Sequence, residues 1–256
     1  MIKVGLVGGS GRVGQRLIPL IEKDETLQLS ALFVKNIDDV EPIDGVFITK
    51  DIKEFLDEVE LVIDFSLPEA TEKLLKGVLE VGGKPLVIGT TGLSETQKNL
   101  LQEVSKSSPI LYATNMSLGV ALLNQLVEIA SKSLKEFEIE IVEMHHRYKK
   151  DAPSGTALTL AETAVKARGL DLEKVRISGR DGNIGERKPD EIAVMALRGG
   201  DIVGRHTVGF YNDGEFIELN HTATNRDTFA KGAVFAGKWL VNQTNGLYSI
   251  RDCLGV

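Results

Sequence analysis

The chain has 256 residues, 42% hydrophobic and 26% charged, with a formal net charge of −7. That length holds one large domain or two modest ones with sizeable cores, and the composition is that of a folded rather than a disordered protein. The acidic balance argues against binding nucleic-acid backbones, no apolar run approaches the ~20 residues that span a bilayer, and the single cysteine, Cys253, excludes an internal disulfide framework. Cys253 reads as a small apolar filler. A reducing compartment suits this chain, and its first residues enter a strand at once with no cleavable signal pattern, so a cytoplasmic protein is expected.

Residues 2–7 are apolar and β-branched, the pattern of a buried parallel strand. A helix is expected over 11–23, with Val13, Leu17, Leu20 and Ile21 on one side and Pro19 awkwardly inside it. Strands at 27–34, 61–65, 85–88 and 110–113 alternate with helical stretches at 52–58, 70–81 and 94–106. This alternation predicts a Rossmann-like, doubly wound parallel sheet. After Asn115 the character changes. A long helix over 119–134 precedes a strand at 137–144, where Ile139 and Ile141 alternate with Glu138 and Glu140. A helix after Ser154 carries Leu158, Ala161 and Val165 on one face and stops at Gly169. Residues 178–189 are glycine-rich and charged, hence a loop. Strands at 192–198, 204–211 and 216–224 follow, the last two joined by the hairpin signal Asn212-Asp213-Gly214. A final helix over 228–241 carries Phe229, Ala233, Ala236 and Leu240 on one face. The fold class is therefore α/β: a Rossmann-like sheet, then an α+β domain whose mixed or antiparallel sheet has one packed face and one that is wet or used for assembly.

Gly8, Gly11 and Gly14 join the first strand to the first helix with G-x-x-G-x-x-G spacing. Such glycines permit a tight turn, close approach to a pyrophosphate and tight helix–sheet packing, so this loop, with Arg12 and Val13 inside it, predicts dinucleotide binding. The second strand should end in an acid if a ribose 2′-hydroxyl is to be held. No acid stands there, and the next ones are Asp38 and Asp39. Lys35, with Arg12, could instead face a 2′-phosphate, which favours NADP; the alternative is a plain solvated lysine. Gly89-Thr90-Thr91-Gly92, Asp64-Phe65-Ser66 and Asn115-Met116-Ser117 place three further polar strand ends on one rim of that sheet.

The stretch Glu143-Met144-His145-His146-Arg147-Tyr148-Lys149-Lys150-Asp151-Ala152-Pro153-Ser154-Gly155-Thr156 is the most informative in the chain. Ser154 is a good N-cap, and the Gly155 and Thr156 amides stand at the positive end of a helix dipole, suited to an anion. Lys149 adds a full positive charge, and His145 and His146 can move protons near neutral pH. The expected occupant is a small molecule with one or more carboxylates that takes up a proton during its reaction. Metal binding is not expected, because adjacent histidines in an extended strand point to opposite faces. His206 and His221 read by default as sheet histidines with satisfied hydrogen bonds.

With these residues in view, the chain closely resembles the dihydrodipicolinate reductase (4-hydroxy-tetrahydrodipicolinate reductase) family. Residues 143–156 follow that family's E-x-H-H-x-x-K-x-D-A-P-S-G-T signature, and the glycine loop, Gly89-Thr90-Thr91-Gly92, the run from Asn115 to Val120 and Arg198-Gly199-Gly200-Asp201 support it. The resemblance implies reduction of a small cyclic dicarboxylate by NADPH and/or NADH in the diaminopimelate route to lysine. It implies a dinucleotide-binding domain of residues 1–116 and 226–256, and a substrate-binding domain of 117–225 that builds a homotetramer through its sheet. His145 then stands in the proton-donor position, with Lys149 as its cationic partner. His146, Gly155 and Thr156 match residues on the substrate carboxylates. Gly8, Arg12, Val13, Gly89 and Thr91 match cofactor contacts, and Asn115, Met116 and Ser117 line the nicotinamide side. Phe33 departs from the family, many members of which carry an acid there. Two other readings remain at this point: another NAD(P)-dependent dehydrogenase of a small amino or dicarboxylic acid, and a non-catalytic dinucleotide sensor. The intact set of His145, His146 and Lys149 speaks against the sensor.

Overall fold

The structure, a computed structural model, describes residues 1–256, with the side chain of Asp39 outside the described residues. The chain divides into two compact units, Met1–Leu118 with Asp227–Val256, and Gly119–Arg226. Among the described residues, no helix is long and apolar enough to cross a membrane.

The first unit is built on a seven-stranded sheet in which every pairing is parallel. Its strands are β1 (Ile2–Val7), β2 (Leu27–Phe33), β3 (Phe47–Thr49), β4 (Leu61–Asp64), β5 (Leu86–Ile88) and β6 (Pro109–Tyr112). Helices α1 (Gly14–Glu22), α2 (Ile52–Asp57), α3 (Pro68–Val81) and α4 (Glu95–Val104) connect them. The strand order is β12-β6-β5-β4-β1-β2-β3, with β12 (Gly246–Tyr248) supplied from the C-terminal segment. The sequence reading misses β3 and β12 for one reason. Both are three-residue edge strands with little burial, so neither carries enough apolar pattern to register. Helix α1 starts at Gly14, not at residue 11, because residues 11–13 are spent on the glycine turn. Pro19 sits inside α1, where its missing N–H would have served the Gln15 carbonyl; both residues are exposed, so water can take that carbonyl.

Helix α8 (Asp227–Leu240) completes this unit, lying against α1 and over β4, β5 and β6. Its buried face is Ala230, Gly232, Ala233, Ala236, Gly237 and Leu240, and Phe229 is only half-buried, contrary to the expected face. Small residues let this helix approach closely. A Cβ on Gly232 would stand 1.7 Å from the Met116 carbonyl oxygen.

The second unit carries a mixed five-stranded sheet in the order β11-β10-β7-β9-β8. Strands β7 (Glu138–His145), β9 (Ile192–Arg198) and the short β8 (Arg176–Ile177) run parallel. The hairpin of β10 (Gly204–Asn212) and β11 (Glu215–Ala223) turns at Asp213-Gly214, with Gly214 at φ 86°, and adds antiparallel to β7. Helices α5 (Leu118–Ser133) and α6 (Gly155–Arg168) contribute Leu123, Val127, Leu160, Ala161 and Ala164 to a core with Ile139, Ile141, Val194, Val208 and Phe210. Leu158 is half-buried, so α6 turns its packed face toward Ala157, Leu160, Ala161, Ala164 and Val165. Gly169 ends α6 in the left-handed conformation at φ 70°, as expected. Residues 178–189 form no strand or helix, yet they are tied down: Arg180 grips Glu140 through two 2.8 Å bonds, and Arg187 reaches the same carboxylate at 3.1 Å. The short α7 (Leu172–Val175) and α9 (Ile250–Leu254) fill in between longer elements.

The close seat of α8 yields a stability test. Gly232→Ala must push the helix off a backbone carbonyl, and we expect a loss near the upper end of the ~1–3 kcal/mol typical of overpacked sites, read by denaturant unfolding. Gly179→Ala, whose Cβ meets nothing within 4 Å, should leave stability within about 0.5 kcal/mol of the parent.

Candidate active site

In the first unit, the glycine loop is shaped by backbone crowding. Gly8 has φ 82°, and its Cβ would lie 2.6 Å from the Phe65 carbonyl oxygen. A Cβ on Gly14 would lie 2.2 Å from the Gly8 carbonyl oxygen, and the Gly11 amide donates to that oxygen at 2.9 Å. Any side chain at these positions would fill the turn, and α1 begins without a side-chain cap on its first amides. This is the cradle a pyrophosphate needs. Beside it opens a cavity of about 740 Å³, lined by Gly8, Ser10 and Gly11, by Phe33 and Lys35 at the end of β2, and by the turn from Phe65 to Leu67. Residues present thus fit a dinucleotide. Arg12 is exposed and Val13 half-buried, and neither lines the cavity.

The other rim residues are placed less directly. Gly89 makes room for the Phe65 ring, since its Cβ would come within 2.3 Å of that ring. The Thr90 hydroxyl is buried and turned inward, accepting from the Ser66 amide at 3.2 Å and from Thr71 Oγ1 at 2.9 Å. Both Ser66 and Thr71 also donate to Asp64, whose buried carboxyl is pushed above its usual range by burial. Thr91 is exposed. The Asn115 side chain accepts from the Ser117 amide at 2.9 Å, and Met116 and Ser117 are buried.

In the second unit, the period-two pleat of β7 puts Ile139, Ile141, Glu143 and His145 on the buried face. Glu143 is fully buried, and both its oxygens are saturated. Arg198 donates to them through two parallel 2.8 Å bonds, the Ser154 amide donates at 2.9 Å, and His145 Nδ1 lies 2.6 Å from Oε2. Burial opposes the charge of Glu143, but the Arg198 fork, His145 and the Ser154 amide outweigh it and hold the carboxyl below its ordinary range. With a carboxylate on Nδ1, the imidazole presents Nε2 as its exchangeable site. Gly204 leaves room there: its Cβ would stand 3.1 Å from His145 Nε2.

Around this pair lie the groups suited to a carboxylate ligand. Ser154 caps α6, accepting from the Ala157 amide at 3.2 Å, which leaves Gly155 exposed at the helix start. Lys149 Nζ pairs with Asp151 at 2.8 Å and keeps only 21% of its side chain exposed. His146 Nε2 lies 3.2 Å from Arg226 Nη2, and burial together with the positive charges of Arg226, His145, Lys149 and Arg198 lowers its pKa. His145, His146, Lys149, Ser154 and Gly155 are thus drawn into one region with Arg198 and Arg226.

Glu143, Arg198 and His206 are the members that the sequence reading did not place. The alternation that buries Ile139 and Ile141 also buries positions 143 and 145, so Glu143 was recoverable from period alone. His206 stands opposite Glu143 across the β7–β10 pair, 5.3 Å from His145 between ring centroids, with Nε2 3.1 Å from Ser154 Oγ. Its Nδ1 is buried without a partner, so the expectation of a satisfied sheet histidine holds for one ring nitrogen only. Burial, then the neighbouring charge of His145, lowers its pKa to about 4. Above the ordinary value of 6.5, folded and unfolded chains are both neutral here. As pH falls from 6.5 toward 4, the unfolded chain gains a proton that the folded one refuses, so stability drops by roughly 3 kcal/mol across that window. His206→Asn should flatten this part of the slope in urea unfolding at stepped pH. The contribution of Glu143, which acts in the same direction among His145, His221 and Lys149, should remain.

Residues 2–116 match the family model "Dihydrodipicolinate reductase, N-terminus", and residues 119–254 match "Dihydrodipicolinate reductase, C-terminus". The 4-hydroxy-tetrahydrodipicolinate reductase of a Nitratiruptor species is 64% identical over 257 residues, covering all of both chains. Its counterpart from Sulfurimonas denitrificans is also 64% identical over 256 residues, again covering all of both. Among solved structures, a dipicolinate-bound dihydrodipicolinate reductase from Paenisporosarcina sp. TG-14 shares the fold at TM-score 0.80 and 23% identity, over 97% of each chain. The chain belongs to the dihydrodipicolinate reductase family, and it is an NAD(P)H-dependent oxidoreductase.

Proposed function

We propose that the protein reduces 4-hydroxy-tetrahydrodipicolinate, or its dehydrated form dihydrodipicolinate, to tetrahydrodipicolinate in the diaminopimelate route to lysine. The observation that carries this reading is the buried Glu143–His145 pair, set beside a helix start and a cluster of cations. A bound reduced pyridine nucleotide supplies the hydride. The first unit holds it through Gly8, Gly11 and Gly14 around the pyrophosphate, with Lys35 beside the adenosine end. The second unit holds the cyclic dicarboxylate: the Gly155 and Thr156 backbone, Lys149 and His146 bind its carboxylates, and Arg226 adds charge next to His146. Lys149 must exchange Asp151 for the substrate, which replaces one carboxylate partner by another and costs little net Coulomb energy.

His145 is the general acid. Glu143 accepts from Nδ1 and fixes the ring, so that Nε2–H is the proton delivered to the carbon or nitrogen made basic by reduction. Glu143 is thereby a positioning residue. The protein is further proposed to assemble as a homotetramer through the sheet of the second unit. Support comes from Phe216 and Ile217 on the edge strand β11, which stay 65% and 49% exposed. Phe216→Lys should then lower the mass seen by light scattering.

Turnover is tested by loss of reduced-nicotinamide absorbance on adding freshly made substrate. His145→Gln should lower kcat by about 10²–10⁴-fold. Lys149→Ala should lower kcat/KM through both binding and rate. Glu143→Gln should lower kcat by at least about tenfold with a much smaller change in KM, a split that general loosening of the fold would not produce. If His145→Gln and Lys149→Ala each keep kcat/KM within about threefold of the parent, under ~1 kcal/mol, the assigned roles are wrong.

A further inference from the structure

Ser94, Ser154 and Ser249 each cap a helix, and Ser154 is held differently from the other two. Ser94 at α4 and Ser249 at α9 are met by the side chain three residues on. Gln97 and Asp252 accept from the serine amide at 2.9 and 2.7 Å and from its hydroxyl at 3.1 and 2.7 Å. Those helices close their own first turn with a polar side chain standing over it. Helix α6 has Ala157 at that position, fully buried and with no polar group to offer. The partners of Ser154 come from the sheet instead. Glu143 on β7 accepts from the Ser154 amide at 2.9 Å, and His206 on β10 places Nε2 3.1 Å from the Ser154 hydroxyl oxygen. Glu143 and His206 are register partners in the β7–β10 pair, so the two roles of one capping side chain are divided between two adjacent strands.

Strand β10 gives up packing for this contact. Val208 and Phe210 occupy its next two core-facing positions, and an apolar side chain at 206 would continue the core. In its place stands an imidazole only 4% exposed, with Nδ1 buried and without a partner. A buried ring nitrogen left unsatisfied carries a standing cost, so the residue is explained by what Nε2 does. A serine hydroxyl has three staggered settings. The Ala157 amide, 3.2 Å away, and His206 together select one of them. Moving the partners from helix to sheet has a chemical consequence. An acid or amide oxygen three residues into α6 would stand over the first turn and compete with an incoming anion. With Ala157 there, Gly155 stays exposed at the positive end of the helix dipole. We propose that His206 is a positioning residue for substrate binding: it holds the Ser154 hydroxyl while Glu143 holds the Ser154 amide, and this clamp fixes the first turn of α6 where a substrate carboxylate is received. The proposal rests on the carboxylate-binding reading of α6 given above and adds to it a residue that acts through another.

The test is steady-state kinetics of the full-length protein with freshly made substrate, read as separate kcat and KM values. His206→Leu should raise the substrate KM by about five- to tenfold, the scale of one buried hydrogen bond, with kcat within about threefold of the parent. This is the reverse of the split expected for Glu143→Gln. The KM for the reduced dinucleotide, whose glycine cradle lies in the first unit, should stay within about twofold. His206→Gln, whose side-chain amide nitrogen stands where Nε2 does, should bring the substrate KM back to within about twofold of the parent. Ser154→Ala should raise the substrate KM at least as much as His206→Leu. The double exchange should add less than about twofold to Ser154→Ala alone, since both remove one contact. Thermal melting checks folding; should His206→Leu not fold, His206→Asn, whose amide is one bond short of Ser154, takes its place against His206→Gln. An unchanged substrate KM in His206→Leu, no recovery in His206→Gln, effects of the two sites that multiply, or both KM values rising together overturns the clamp and leaves the reductase reading intact. A parent protein that turns over no substrate overturns the reductase reading and the clamp with it.

Discussion

The second unit is organised around one buried charge. Placing the Glu143 carboxylate in the protein interior costs several kcal/mol, and the attraction of a single partner would not return it. The structure answers with donors on both oxygens: a two-pronged guanidinium from β9, an amide from the helix cap of α6, and an imidazole from the same strand. Each donor is fixed by the carboxylate in return. Arg198 is held so that it also reaches the Leu197 and Asp151 carbonyls at 2.7 Å, which anchors the loop carrying Lys149. Ser154 is held so that α6 starts where it does. The positions of His145, of the start of α6 and of the loop with Lys149 are therefore not three separate features. They follow from satisfying one ion.

Asp64 in the first unit shows what happens without a cation. It is as buried as Glu143, yet its partners are two hydroxyls and one amide, so burial prevails and its carboxyl is pushed upward. Such a group knits the turn after β4 to the start of α3. Comparison of the two carboxylates separates a structural knot from an electrostatic one by their donors alone.

How much of this was legible in the sequence depends on how local each signal is. The glycine turn lies within residues 8–14, and the Ser154 cap and the cations of residues 145–149 lie within one short stretch of their own, so each pattern could be read locally. The alternation in β7 even contained Glu143, though its neighbours drew attention to the histidines instead. Partners delivered by topology were not legible: Arg198 comes from 55 residues beyond Glu143, and Arg226 from 80 residues beyond His146. The edge strands β3 and β12 escaped because three half-exposed residues carry no period. The buried face of α6 was misread by one position, Leu158 for Ala157, because alanine packs against a sheet as well as leucine when the helix lies close.

Net charge gave the weakest guide of all. A chain of −7 would seem a poor host for anions, yet both candidate sites are cationic. The resolution lies in range. At physiological ionic strength a charge is screened within about 8 Å, so the acidic remainder of the surface hardly reaches a cleft lined by its own lysines or arginines. Local cations then decide what binds, and the general negative charge acts mainly to keep the protein soluble and to disfavour polyanions too large to fit. Selection between small carboxylates, phosphates and nucleic acid is thus made by the size of each cationic patch, not by the sum over the chain.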